Sequence, residues 1–192
     1  EMYEPLIAKH PFFNQYFHID PMIVLPLCVR ALSEVTLRFG DEVYNDWHIV
    51  TAMVFVVRGK LEYHQTPQVN CEESPGLQVG KGQWACEVAL WGMQPSLDGP
   101  LIAAKGGADI VKISSKEFEE VVSARPNSVP TVRKYALAFM DLFNDGNADD
   151  ETCTQMPLFN DRSVLETVIP NFSLGGSRTG ASIFAGSRKI NE

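Results

Sequence analysis

Basic residues are scarce in this chain: 16 Lys and Arg stand against 24 Asp and Glu, for a net charge of −8 and a pI near 5.0. Holding a nucleic-acid backbone needs clustered cations to neutralise phosphates. The sequence has no such cluster, which excludes a nucleic-acid surface. Cysteine is sparse as well. Cys28, Cys71, Cys86 and Cys153 show no Cys-x-x-Cys spacing, so neither a zinc knuckle nor a disulfide framework is indicated, and all four read as reduced thiols of an intracellular protein. His10, His18, His48 and His64 are dispersed without ligand spacing, so no metal is expected. No run approaches the roughly 18 apolar residues that span a bilayer, and the first residues lack a basic-then-apolar signal pattern. The sequence begins without Met and runs straight into helical sequence, as a piece of a longer chain would, with any membrane portion lying upstream. No nucleophile, base and orienting acid fall into a recognisable motif, so no enzyme is expected.

What is present suits one well-filled core: 192 residues, 45% of them hydrophobic. Leu6, Ile7, Phe12, Phe13 and Tyr16 surround His10-Pro11, which predicts two helical turns broken at the proline. Asp20-Pro21 offers a cap and a first-turn proline, and the apolar run from Met22 to Leu32 predicts a buried helix, bent or restarted at Pro26. From Val35 the period changes to that of strands: 35–39, 43–44 and 50–57. Arg58-Gly59-Lys60 then reads as a tight hairpin turn into Leu61-Glu62-Tyr63-His64. The stretch 65–77 is a surface excursion, and Gly80-Lys81-Gly82 marks another turn. Asp109 to Ile113 predicts a strand, and Ser114 with Glu117 a capping box before a short helix carrying Phe118, Val121 and Val122. A helix starting at Asn127-Ser128-Val129-Pro130 places Val132, Tyr135, Ala136, Phe139, Met140 and Phe143 on one face. The acidic stretch 145–151 predicts a solvated linker, and the Gly, Ser and Arg content from Ser173 a disordered tail. Asp145-Gly146-Asn147 resembles the opening of a calcium loop, but Asp150 and Met156 stand where that loop needs Gly and Glu.

Four separate words occur in the order found in cyclic-nucleotide-binding domains. Phe39-Gly40-Asp41 resembles their Pro-Gly-Asp turn, and Met53 to Leu61 is similar to their Met-Tyr-Phe-Ile-x-x-Gly-x-Val hairpin. Ala85-Cys86-Glu87-Val88-Ala89-Leu90 resembles Phe-Gly-Glu-x-x-Leu, and Asp109 to Ile113 leading into Phe118 resembles their closing strand and helix. The resemblance covers about Pro11 to Asn144. It implies an α+β fold: a double-stranded β-helix, or jelly-roll-like β-roll, flanked by N-terminal helices and two C-terminal helices. The expected organisation is 1–33 as an N-terminal helical segment, 34–144 as the roll with its C-terminal helices, and 145–192 as linker and tail.

The resemblance also assigns roles. In the family the Glu of Phe-Gly-Glu accepts a hydrogen bond from the ribose 2′-hydroxyl, and an Arg makes a charge-assisted contact to the cyclic phosphate. Here Glu87 keeps the first position, with Cys86, Val88 and Ala89 around it. Asp98 or its neighbour Leu97 stands where the Arg belongs, followed by Gly99 in place of Ala or Thr. A carboxylate there repels a phosphate, and any Cβ at Cys86 narrows an approach that Gly leaves open. Cyclic AMP or cyclic GMP is thus the ligand class the resemblance implies and these residues oppose. Glu87 has a structural alternative in satisfying amides at the start of its short helix, and Trp84 and Trp91 read as core packing before purine stacking.

An upstream helix, the Trp84–Trp91 segment and Tyr135-Ala136-x-x-Phe139 are similar to the cytosolic domains of cyclic-nucleotide-gated, hyperpolarisation-activated and ether-à-go-go-type channels. That host implies a gating module of a voltage-gated potassium or mixed cation channel at the cytoplasmic face of a membrane. Its partners would be an upstream transmembrane region and other subunits of a homo-oligomer, and no cofactor is expected. A segment such as Met156-Pro157-Leu158-Phe159 or Ile169 to Phe172 would act as an intrinsic ligand. The alternative host is a soluble regulatory subunit or scaffold, like the regulatory chain of a cyclic-nucleotide-dependent kinase. With the phosphate anchor absent, the helix over 132–143 is expected to pack closed on the roll without ligand.

Overall fold

The computed structural model describes residues 3–64, 77–92 and 96–147, with side chains through residue 141. Helices α1 (Glu4–Ile7) and α2 (Pro11–Ile19) are separated at His10, whose side chain accepts a hydrogen bond from the Phe12 amide and so caps α2 in front of its first-turn proline. A 3-10 turn over Pro21–Ile23, a short α3 (Val24–Pro26) and a π turn over Leu27–Ala31 follow. This segment departs from the expected buried helix. Ile23, Leu27 and Ala31 recur every four residues and are buried, whereas Met22, Leu25 and Val29 on the other side are 72%, 69% and 71% exposed. Its apolar residues are simply more numerous than one packed face requires.

The sheet consists of β1 (Leu32–Leu37), β2 (Glu42–Tyr44), β3 (Ala52–Tyr63), β4 (Leu77–Gly80), β5 (Trp84–Ala85) and β6 (Leu101–Ser114), all paired antiparallel. β3 and β6 run alongside each other from Ala52↔Ser114 to Tyr63↔Leu101 and form the spine. β1 and β2 join β6 on its other side, and β4 and β5 join β3. The expected hairpin at Arg58-Gly59-Lys60 is absent: β3 continues through it as one strand. Register shifts between Val56 and Arg58, and again between Gly59 and Leu61, bend the paired strands instead. Gly59 has φ +77°, and a Cβ there would lie 2.1 Å from the Gly107 carbonyl oxygen, so only glycine lets the two strands cross this closely. The glycine that suggested a turn belongs to a corner of the roll.

Because β3 is covered on both faces, its alternate side chains feed two cores. Met53 and Phe55, with Val111 and Ile113 of β6, face the helices. Val54, Val56 and Leu61, with Ala103, Ala108 and Ile110, face the interior of the roll. Ser114 caps α4 (Ser115–Ser123) by accepting from the Glu117 amide, as the sequence indicated, and α4 buries Phe118, Val121 and Val122. α5 (Val129–Asn147) buries Val132, Tyr135 and Phe139 and continues past Asn144, so residues 145–147 are helical and not linker. Of the excursion predicted at 65–77, Leu77 already belongs to β4 and the rest lies outside the described residues, as do the linker and tail beyond 147, with Met156, Leu158, Phe159 and Ile169 to Phe172.

Candidate functional site

β5 delivers the chain into a short 3-10 helix, Glu87–Trp91, through Cys86. That residue takes a left-handed conformation at φ +64° and ψ +30°. Glycine adopts this conformation freely and cysteine does so at a cost of about 1 kcal/mol. The conformation is one that glycine, the residue in the Phe-Gly-Glu word this segment resembles, adopts without that cost. The Cys86 side chain is fully buried inside the roll, and burial pushes its thiol up to about 12. It is an inert filler of the interior, not a reactive group.

The turn after Cys86 divides the candidate residues between the two cores. Ala89 faces the roll interior with Cys86, whereas Val88 packs among the helices. Glu87, only 6% exposed, is bound by both flanking helical elements. The fully buried His10 donates from Nε2 to Glu87 Oε2 at 2.8 Å, and the Tyr135 hydroxyl of α5 donates to Glu87 Oε1 at 2.9 Å. Since His10 Nδ1 already accepts from the Phe12 amide at 3.2 Å, its proton sits on Nε2 and the ring is neutral. The carboxylate is thus held by two neutral donors in surroundings with little water. Tyr135 is driven well above the ordinary tyrosine range, first by burial and then by the adjacent Glu87 charge.

Around this trio lies a dense aromatic layer. His10 packs on Trp84 at 4.4 Å between ring centroids, Phe12 on Tyr135 at 4.7 Å, Phe12 on Trp91 at 5.0 Å and Trp91 on Tyr135 at 5.1 Å. Both tryptophans take the packing role expected of them. A second polar tie joins the same elements. Arg125, in the turn between α4 and α5, donates to both oxygens of Asp20 at the end of α2, from Nε and from Nη2, the latter at 2.5 Å. The buried Ser128 hydroxyl donates to Asp20 Oδ2 at 2.7 Å. The Arg125 partner above all holds the Asp20 carboxyl below the usual range.

Asp98 and Gly99 lie in the bend just before β6. Leu97 is fully buried in the roll interior, and the Asp98 carbonyl accepts a hydrogen bond from the Tyr63 hydroxyl at 2.8 Å. Tyr63 is pushed up to about 12 by burial first and then by the Asp98 charge, with Asp46 adding a smaller share. Two carboxylates, Asp98 and Asp46, thus act on the Tyr63 hydroxyl. Beside Cys86, the half-buried Lys112 lies 5.2 Å from the Tyr44 ring centroid, and burial lowers its pKa.

Several solved structures share this architecture. The N-terminal domain of a transcriptional regulator from Streptomyces coelicolor A3(2) matches with a TM-score of 0.58 at 22% identity, over 73% of this chain and 94% of that one. A cyclic nucleotide-binding-like protein from Brucella abortus matches with a TM-score of 0.51 at 18% identity, over 64% and 99%. This chain has the fold of a cyclic-nucleotide-binding domain. The C-linker/CNBHD of zELK channels, crystallized in the presence of cAMP, is similar with a TM-score of 0.52 at 17% identity, over 65% of this chain and 58% of that one. By sequence, no family model and no curated protein matches the chain. The α+β roll implied by the sequence words is thereby established, and among the described residues no helix is long and apolar enough to cross a membrane.

His10 and Tyr135 are the site residues that sequence reasoning missed. They lie 77 and 48 residues from Glu87, and no local spacing signals either partner. Tyr135 stood in the apolar face of its helix, where only its hydroxyl hinted at a buried acceptor.

Proposed function

We propose that the chain is a regulatory domain of the cyclic-nucleotide-binding fold that does not take up cyclic nucleotide. In this reading it serves as the cytosolic gating module of a voltage-gated potassium or mixed cation channel, and not as a catalyst. The observation that carries the first part is the state of the two anchoring positions. Glu87, which the resemblance assigns to the ribose, is spent on His10 and Tyr135, and Asp98 stands in the sequence where the resemblance expects the phosphate-binding Arg. Loss of a charge-assisted phosphate contact costs about 1.5–3 kcal/mol, and each 1.4 kcal/mol is tenfold in affinity, before the repulsion from Asp98 is added.

Titration calorimetry with cyclic AMP and cyclic GMP tests this, on the unaltered protein and on Asp98→Arg. No heat from the unaltered protein is expected. Micromolar binding would return the chain to the true sensors.

The channel host is supported by helices ahead of the roll that pack into one core with the last two, and by the similarity to a channel C-linker/CNBHD. Within that proposal the domain sits at the cytoplasmic face of a membrane beside identical subunits. The sequence immediately upstream decides it: a multi-span apolar region with an Arg-rich helix supports the channel. A second roll or a pseudosubstrate segment would favour the kinase-type regulatory subunit instead.

A further inference from the structure

We infer that Glu87 is the coupling residue of an internal latch, a carboxylate that keeps the last helix closed on the roll and the α2 start fixed. Three elements distant in sequence meet at this one group: the residue capping α2, the short helix after β5, and the middle of α5. A buried carboxylate is tolerated only while its oxygens are hydrogen-bonded, so withdrawing either donor strands charge in an apolar layer. α5 cannot swing away without removing the Tyr135 hydroxyl, and α2 cannot shift without removing the His10 Nε2 proton. Both helices are thereby tied to one acceptor, and release of either leaves Glu87 with a single donor. Glu87 itself is fixed by the left-handed turn at Cys86, which ties the latch to the roll interior on the other side of the same turn.

The regulatory reading is used only in calling this motion a switch. The coupling stands on the geometry and is tested apart from nucleotide binding. In an ordinary cyclic-nucleotide-binding site a ligand biases the last helix by its differential affinity for two states. In this chain a side chain supplies the bias, and the input that opens the helix is whatever displaces Glu87 from its donors.

The test is residue-resolved hydrogen exchange on Tyr135→Phe, Glu87→Gln and the double variant. Tyr135→Phe removes one oxygen and leaves the ring packing intact. It is expected to speed exchange of the α5 amides by about tenfold or more, the factor of one lost charge-assisted hydrogen bond, while Val54 to Val56 in β3 stay unchanged. Glu87→Gln should do the same, and the double variant should exceed the larger single effect by no more than about twofold. Unchanged α5 exchange in Tyr135→Phe overturns the latch. So does equal acceleration throughout the sheet, and so does full multiplication of the two single effects. If Glu87→Gln does not fold, His10→Asn with Tyr135→Phe forms the cycle under the same criteria. A result in which calorimetry finds nucleotide but the cycle shows coupling would retire the nucleotide-free reading and keep the latch.

Discussion

The two sides of the β3–β6 spine bury different chemistry. Toward the helices the core is aromatic and encloses an ionised group with its donors. Toward the roll interior it is mostly small aliphatic side chains, with tyrosine hydroxyls satisfied by backbone carbonyls: Tyr44 donates to Ala52 and Tyr63 to Asp98. In a nucleotide-binding roll the interior would hold the polar anchors. Here Glu87 is bound on the helix side, and the interior is packed with Leu97, Cys86 and Ala89. The same turn can serve either core, because one step along the chain after Cys86 changes the side to which a side chain points.

The harshest way to break this contrast is at the corner shared by both cores. Gly59→Ala forces a Cβ onto the Gly107 oxygen at a positive φ, and urea unfolding should show a loss of about 3 kcal/mol or more. Gly40→Ala has the same sign of φ but open space around it, and should lose only about 1 kcal/mol. Phe12→Ala removes a ring that meets Phe13, Tyr16, Trp91 and Tyr135. It should cost about 3–5 kcal/mol and release the helices in proteolysis before the sheet.

Acid sharpens the comparison further. Asp20 is ionised more readily in the fold than in the unfolded chain, so its contribution is complete above the ordinary carboxylate value near about 4 and is lost as pH falls through the lower folded value. Acid unfolding of Asp20→Asn should lack that part of the pH dependence, while the slope at neutral pH stays the same. The smallest effect is expected at Met22→Ser, on the exposed side of the helical segment, where stability should change by no more than about 0.5 kcal/mol.

Much of this was legible in the chain. Periodicity placed the break at His10-Pro11, the cap at Ser114 and the buried face of α5, because each depends on neighbours within a turn or two. The words around Glu87 and Gly40 gave the roll. Arg58-Gly59-Lys60 was misread because a glycine that permits close strand crossing looks the same in sequence as one that makes a hairpin. The burial of Met22, Leu25 and Val29 was overestimated because an apolar run does not state which of its faces finds a partner. The engagement of Glu87 was hidden altogether, since its two donors come from opposite ends of the described chain.

The most direct test of the central claim is the amide spectrum of the isotopically labelled protein in millimolar cyclic AMP. The resonances of Cys86, Glu87, Ala89, Asp98 and Gly99 should stay where they are. Saturable shifts at those five positions would contradict the account and show that the roll still admits its ligand.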